Sequence, residues 1–136
     1  MSSLLQDTPV PVRQRLSAAW GALMFCYLYG DYFGLYTPDK LKGMLAGEGP
    51  VGAYSEGSLV GVCLMMAVPA LMVLGALLLP ARLCRWLNVL LGMAYTAIML
   101  LTLPGARPYY LVLGGIEIVL SLSIAVIALR WPRARA

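Results

Sequence analysis

The feature that most constrains this chain is the division of its apolar residues into four long runs that contain very few charged side chains. A helix needs about 20 mostly apolar residues to cross the ~30 Å hydrocarbon core of a bilayer. The sequence meets this requirement four times, and we predict transmembrane spans over about residues 16–36, 58–79, 86–103 and 109–129. These spans fill most of the 136 residues, so we expect a single integral membrane domain over residues 1–136.

The composition argues against a soluble domain. Of all residues, 61% are apolar and 12% are charged, whereas a soluble domain is about half apolar and about one-quarter charged. Leu, Ala, Gly and Met dominate the runs without the alternation typical of strands, and an open sheet in lipid would leave backbone groups unpaired. The predicted fold class is an all-α membrane protein, an antiparallel bundle of four transmembrane helices.

The connections predict which helices lie side by side. Residues 80–85 and 104–108 are short enough to require antiparallel neighbours, so the last three spans should form a meander. The first connection is longer, and Thr37 followed by Pro38 is typical of a helix N-terminus. We expect a short outer interfacial helix there that ends at Gly47, and then a mobile segment over residues 47–52.

The basic residues predict the orientation. With the N-terminus inside, seven arginines flank the inner ends of the spans and three basic residues lie in the outer loops. The inner set is Arg13, Arg15, Arg82, Arg85, Arg130, Arg133 and Arg135, and the outer set is Lys40, Lys42 and Arg107. This bias favours a multipass protein of the inner (plasma) membrane with both termini cytoplasmic. The net charge of +4 is then explained by basic residues that lie beside anionic lipid headgroups, and no nucleic-acid partner is expected.

Two acidic residues inside the spans are the candidates for chemistry, because an intramembrane charge is costly unless it is paired or hydrated. Asp31 and Glu117 lie ~24 Å and ~20 Å from the inner flanks at ~1.5 Å per helical residue, so they could share one buried site. No Lys or Arg lies at that depth in any span. The partner would then be a proton, a bound cation or tyrosine hydroxyls.

Other polar residues lie on the helix faces expected to surround this pair. They are predicted to contribute to ligand or proton binding, and they are Tyr27, Asn88, Tyr95, Tyr110 and Ser121. In the second span Pro69 frees the backbone carbonyl of Met65, to which a protonated carboxyl could donate. Glu56 at the outer mouth of the second span is favoured as an ordinary interfacial residue, and the alternative is a rim charge that attracts cations.

Several chemistries are disfavoured by the residue inventory. The chain has no His, which argues against haem and the usual copper and zinc sites. Cys26, Cys63 and Cys84 lie at different depths and form no Cys-x-x-Cys motif. We therefore predict no metal, no cofactor and no catalytic residue, and a non-enzymatic role is favoured.

Four short motifs carry a resemblance to a known type of family. They are Tyr29-Gly30-Asp31, Arg82-x-x-Arg85-Trp86-x-Asn88, Pro108-Tyr109-Tyr110 and Ile116-Glu117-Ile118. Over about residues 16–130 the chain resembles a family of small four-span bacterial membrane proteins of unknown function, and the resemblance implies polar residues at the positions of Asp31, Asn88 and Glu117. A weaker resemblance is to DoxX-like four-helix membrane proteins, which share size and topology. Small multidrug transporters keep a glutamate in their first span, where this chain has an aspartate near the outer end.

Two functional interpretations remain open from the sequence. In the first, a small transporter-like protein binds or moves a proton, a cation or a cationic solute at a buried Asp31/Glu117 pair. In the second, the acids hold the bundle together and the protein is a non-catalytic accessory or assembly subunit of a membrane complex. A membrane oxidoreductase with an exogenous quinone or flavin has the least support. The expected partners are the lipid bilayer and either a second copy or another membrane protein.

Overall fold

The computed structural model describes residues 8–49 and 52–132, and the described chain is mostly helical. Four long helices, one short helix and a two-stranded hairpin follow one another along the sequence. In chain order they are α1 (Val12–Gly34), α2 (Pro38–Leu45), β1 (Glu48–Gly49), β2 (Gly52–Ala53), α3 (Glu56–Leu78), α4 (Ala81–Thr102) and α5 (Pro108–Leu129). Arg133 and Arg135, two of the predicted inner arginines, lie outside the described residues.

Three of the long helices, α3, α4 and α5, are long and apolar enough to cross a membrane. Helix α1 has 23 residues, the same length as α3. It carries Asp31 and three tyrosines in its second half, and these lower its mean hydropathy. The last three of the four predicted spans are therefore supported by both length and composition. The first span, α1, is supported by its length alone.

Prolines and one capping box define where the helices begin. Pro11 and Pro80 immediately precede α1 and α4, and Pro108 is the first residue of α5. At α3 the Ser55 hydroxyl accepts from the Ser58 backbone N–H at 3.1 Å, while the Ser58 hydroxyl accepts from the Ser55 N–H at 2.9 Å. Helix α4 begins five residues before the predicted span at residue 86, because its first turns contain arginines that an apolar run does not include.

The antiparallel helices give the bundle two distinct ends. At one end, which we call the arginine end, Arg13 donates to the carbonyl oxygens of Leu77 and Leu79 at 2.9 and 2.8 Å, in the last turn of α3 and at its C-cap. Arg85 donates to the Leu129 carbonyl at 3.3 Å at the end of α5. Arginine at a helix C-terminus satisfies free carbonyls and complements the helix dipole. The opposite end, which holds α2, the hairpin and the α4–α5 turn, is called the loop end.

The order of packing differs from the predicted meander. Helix α4 packs on α5 as expected, but α3 makes only sparse contact with α4, and α1 packs against both α3 and α5. Gly92 explains the α4–α5 contact, because a Cβ atom there would lie 2.8 Å from the Ser121 backbone oxygen. On the other side, the Ser17 hydroxyl of α1 donates to the Val73 carbonyl of α3 at 2.8 Å. A short turn therefore joins α3 to α4 without bringing their full lengths together.

The core lies in the arginine-end half of the bundle. Its fully buried side chains come from all four long helices and include Leu16, Trp20, Ala76, Cys84 and Ile124. One buried polar contact crosses it: Trp20 Nε1 donates to Asn88 Oδ1 at 2.7 Å. The amide of Asn88 in turn donates to the Cys84 carbonyl at 2.7 Å. This half is thus closely packed, and the Trp20 indole N–H and the Asn88 amide are paired within it.

The long connection at the loop end is ordered by its own short elements. The predicted interfacial helix is present as α2, and Gly47 after it has a φ of 78°. The segment expected to be mobile includes residues of the antiparallel hairpin of β1 and β2, and its residues 50 and 51 lie outside the described chain. The ring of Tyr54 lies where a side chain at Gly49 would be, 2.6 Å from an ideal Cβ. Arg107 forms a salt bridge with Asp39 at 3.1 Å and joins the α4–α5 turn to α2.

Candidate functional site

A cavity of about 660 Å³ occupies the loop-end half of the bundle. All four long helices line it, together with α2 and the hairpin segment that ends at Tyr54. Its volume falls within the range of about 300–1,000 Å³ that is typical of small-molecule sites. The described part of the chain thus has a closely packed half and a half with space for a ligand.

The cavity exists because α3 and α4 leave a gap between them. Residues 56–64 of α3 are exposed on every side of the helix, and some of them face the cavity. Pro69 interrupts the α3 backbone ladder and leaves the Met65 carbonyl without its usual helical donor. The Tyr95 hydroxyl of α4 donates to that carbonyl and bridges the gap on the side of the core. The predicted carboxyl donor at Met65 is therefore wrong, and a tyrosine takes this role.

Glu117 is the buried acid of the cavity. The side chain is 3% exposed and lines the cavity from α5. It lies against Gly30 of α1, where an ideal Cβ would be 4.0 Å from Glu117 Oε1. Within residues 8–49 and 52–132, no hydrogen bond or salt bridge reaches this carboxyl group. A buried carboxyl without a protein partner is costly, so it requires a proton, a cation or water from the cavity.

Asp31 does not form the predicted buried pair with Glu117. It lines the same cavity, but its side chain is exposed, and no hydrogen bond joins the two carboxyls in the described chain. The reason is helical geometry: successive residues are about 100° apart around a helix, so when Gly30 faces Glu117 the next residue is rotated away. The site contains one buried acid and one exposed acid.

Three of the predicted tyrosines line the cavity around Glu117. They are Tyr27 on α1, Tyr95 on α4 and Tyr110 on α5. The rings of Tyr27 and Tyr95 lie 6.2 Å apart, and the Tyr27 hydroxyl is buried without a hydrogen-bond partner among the described residues. Tyrosine faces attract cations, and a free hydroxyl can donate to or accept from a ligand. Among the described residues, two polar groups here are thus unpaired: the Glu117 carboxyl, which lines the cavity, and the Tyr27 hydroxyl, which is shielded from water.

Three other predicted site residues lie elsewhere. Asn88 is buried in the core, where it is bonded to Trp20, and Ser121 shares a hydrogen bond of 2.7 Å with the Thr96 hydroxyl between α4 and α5. Neither lines the cavity, so both join helices. Glu56, the candidate rim charge, is the first residue of α3; it is exposed and does not line the cavity either.

Lys40 is a cavity residue that the sequence did not predict. It belongs to α2, and its side chain crosses the end of α1, with Nζ 2.5 Å from where a Cβ at Gly34 would be. Because Gly34 has no side chain, the lysine can reach the cavity lining. The spans themselves contain no basic residue at this depth, as expected, but a connection that folds back over the bundle supplies one.

Comparisons with known proteins give a family without an activity. A search of curated proteins and a search of solved structures found no match to this chain. A comparison with protein families matches residues 10–136 to a family of unknown function, DUF6326. This match covers nearly the whole sequence, and the chain belongs to the DUF6326 family.

Proposed function

We propose that this protein binds a cationic solute inside the membrane, with Glu117 as the charge partner. The observation that supports the proposal is the burial of the Glu117 carboxyl against a cavity with no partner from the described chain. Intramembrane acids usually face a cavity and mark the path of an ion or substrate. A positive charge in the cavity would replace the proton that a lone buried carboxyl otherwise retains.

The aromatic side chains around Glu117 support a cation rather than a neutral ligand. Tyr27 and Tyr95 line the cavity with their ring centroids 6.2 Å apart, and Trp20 lies behind them in the core, with its ring centroid 5.9 Å from that of Tyr95. Ring faces within about 6 Å stabilise a cation, by about 2 kcal/mol when water is excluded. The packed core beyond the two tyrosines closes the bundle toward the arginine end, so binding is better supported than conduction.

The membrane arrangement is part of the same proposal. Helix α1 also crosses the membrane, which brings the number of spans to four, since it packs against both α3 and α5. Large apolar side chains such as Leu71, Leu90 and Val119 are exposed on the outside of the bundle, where lipid would cover them. The arginine end would face the cytoplasm of a cell with the protein in its inner (plasma) membrane.

Reporter fusions test this orientation. A fluorescent protein joined after residue 132 should fold and fluoresce, because the arginine end is cytoplasmic. Alkaline phosphatase inserted in the α4–α5 turn, after Gly105, should be active, because that turn is outside the cell. Fluorescence lost at the first position together with phosphatase inactive at the second would contradict the orientation.

Charge selectivity tests the binding proposal. Tetraphenylphosphonium and tetraphenylborate have nearly the same shape and opposite charges. The purified protein in lipid nanodiscs, titrated by calorimetry with empty nanodiscs as the reference, should bind the phosphonium at least about tenfold more tightly than the borate, a difference of about 1.4 kcal/mol. Equal affinity for the two probes would overturn the proposal.

A second candidate function follows from the surface of α3. Its residues 56–64 are exposed all round, and a partner helix rather than lipid could cover this surface. The protein would then be a non-catalytic accessory subunit, or would pair with a second copy. A stoichiometric partner purified in mild detergent, together with no charge-selective binding, would favour this alternative.

A further inference from the structure

We infer that the ligand is a lipophilic monovalent cation that reaches Glu117 from the bilayer, through the gap between α3 and α4. This inference rests on the proposed function and specifies the class of its ligand and the route of access. It depends on three features of the cavity: the position of its openings, the charges that line it and the nature of its walls.

The cavity opens at the loop end, where Asp31, Ala53 and Tyr54 line it and are exposed, and it also opens on the side of the bundle. Val62 of α3 and Leu101 of α4 line the cavity, and they are nevertheless 48% and 81% exposed. A residue can satisfy both conditions only at the boundary between the cavity and the outside. The two helices make only sparse contact with each other, so the boundary marked by Val62 and Leu101 lies at the gap between them. We call this boundary the portal.

The charges of the cavity correspond to a single positive ligand. Of the residues that the structure describes, three charged ones line it: Asp31, Lys40 and Glu117. Asp31 and Lys40 have opposite signs and are not fully buried, so together they provide no net attraction. The buried Glu117 remains as the one unbalanced charge, which a monovalent cation neutralises.

The walls favour a ligand with a large apolar part. Between the portal and Glu117 the lining includes Met65, Met66 and Met99. Methionine side chains are flexible and polarisable and adapt to apolar ligands of different shapes. The loop end of the cavity, in contrast, is lined by Lys40 and by the hairpin segment with Tyr54. At the portal a lipophilic cation from the bilayer meets Val62 and Leu101 and then the methionines, so its apolar part stays out of water.

Probe size tests the ligand class. In nanodisc titrations, tetraphenylphosphonium should bind at least about a hundredfold more tightly than tetramethylammonium, because its four rings are buried in the apolar cavity. Equal affinity for the two cations would overturn the inference, although the proposed function would stand as long as the borate binds more weakly. Loss of the preference for the phosphonium over the borate would instead remove the proposed function itself.

Two tryptophan variants test the position of the ligand. Met66→Trp fills the cavity and should weaken tetraphenylphosphonium binding at least about tenfold by overpacking, whereas Val119→Trp on the exposed side of α5 should not. Each variant is checked by gel filtration and circular dichroism. If Met66→Trp does not fold, Val62→Trp at the exposed portal provides the same test. Unchanged affinity in a folded cavity variant would place the ligand elsewhere and contradict the inference.

Association rates test the route. The double variant Val62→Trp/Leu101→Trp narrows the portal and should slow tetraphenylphosphonium association on the order of tenfold, within the range that variants of one site commonly show. Val119→Trp, on the exposed side of α5 and outside the cavity lining, is the control and should leave the rate unchanged. A normal association rate in the folded double variant would overturn the route.

Discussion

Replacing Glu117 by glutamine is expected to lower tetraphenylphosphonium affinity by at least about thirtyfold, since losing one partner of a buried charge pair costs about 2–5 kcal/mol. The amide has nearly the shape of the carboxyl group and fits the same space against Gly30. No hydrogen bond from the described chain is lost, because the carboxyl has none there. Folding should therefore be preserved, and the effect should appear in binding alone.

Two other acid-to-amide variants are the matched controls for Glu117→Gln. Glu56→Gln removes an exposed charge outside the cavity and should leave binding unchanged. Asp31→Asn removes an exposed charge that lines the cavity, so water screens it, and its effect should be below about 1 kcal/mol. Normal affinity in Glu117→Gln, or a larger loss in Asp31→Asn than in Glu117→Gln, would contradict the assignment of the charge partner.

Replacing Gly92 by alanine is expected to produce the largest loss of stability, about 3 kcal/mol, at the upper end of the usual cost of overpacking. An ideal Cβ there would lie 2.8 Å from the Ser121 oxygen and 3.0 Å from the Ala125 nitrogen, both backbone atoms of α5. A backbone cannot turn aside as a side chain can, so α4 and α5 must move apart. That movement would also stretch the 2.7 Å hydrogen bond between Thr96 and Ser121.

The control for Gly92→Ala is the same substitution at Gly115 of α5, where nothing lies within 4 Å of an ideal Cβ. Gly115→Ala should be neutral or stabilising by up to about 1 kcal/mol, because alanine is the better helix former. Thermal unfolding in detergent, followed by circular dichroism, compares the two variants with the unaltered chain. Equal unfolding temperatures for Gly92→Ala and Gly115→Ala would show that α4 and α5 are not in such close contact.

The helices could be predicted from the sequence because their signals are local. The apolar runs predict the long helices, and Thr37 with Pro38 and Gly47 predicts α2. The differences at the helix ends have one cause: a run of apolar residues stops at a charge, whereas a helix continues through arginines until a proline or a cap ends it. The DUF6326 match also confirms the predicted membership of a small family of unknown function.

The packing order could not be predicted because chain connectivity does not determine contact. The turn after α3 is short, and it does place the end of α3 beside the start of α4. Further along, each helix follows the surface that fits it best: α4 follows α5 through Gly92, and α3 follows α1 through the Ser17–Val73 contact. The gap that becomes the cavity results from these two preferences together, and neither is visible in the α3 or α4 sequence alone.

The candidate site was predicted in part. The sequence identified Glu117 and the three tyrosines because polar residues in an apolar run are conspicuous. Asp31 was predicted to be buried because its depth along the helix was considered, but not the direction in which its side chain leaves the helix. Lys40 was missed because the depth of a residue in a span follows from its distance along the helix, whereas the position of a residue in a connection depends on how that connection folds. Asn88, like Glu117, is a polar residue within an apolar run, so the sequence does not separate the two. The structure does, because Asn88 is hydrogen-bonded to Trp20 and joins two helices.

The most direct test of the central claim is the position of a heavy-atom cation in a crystal of the protein. Tetraphenylarsonium has the charge and shape of the phosphonium, and the anomalous scattering of arsenic locates it without ambiguity. We predict one arsenic peak inside the cavity, beside the Glu117 carboxyl and between α3 and α4, and no such peak in Glu117→Gln. A peak only on the lipid-facing surface, or an unchanged peak in Glu117→Gln, would contradict the claim that this buried acid binds a cation.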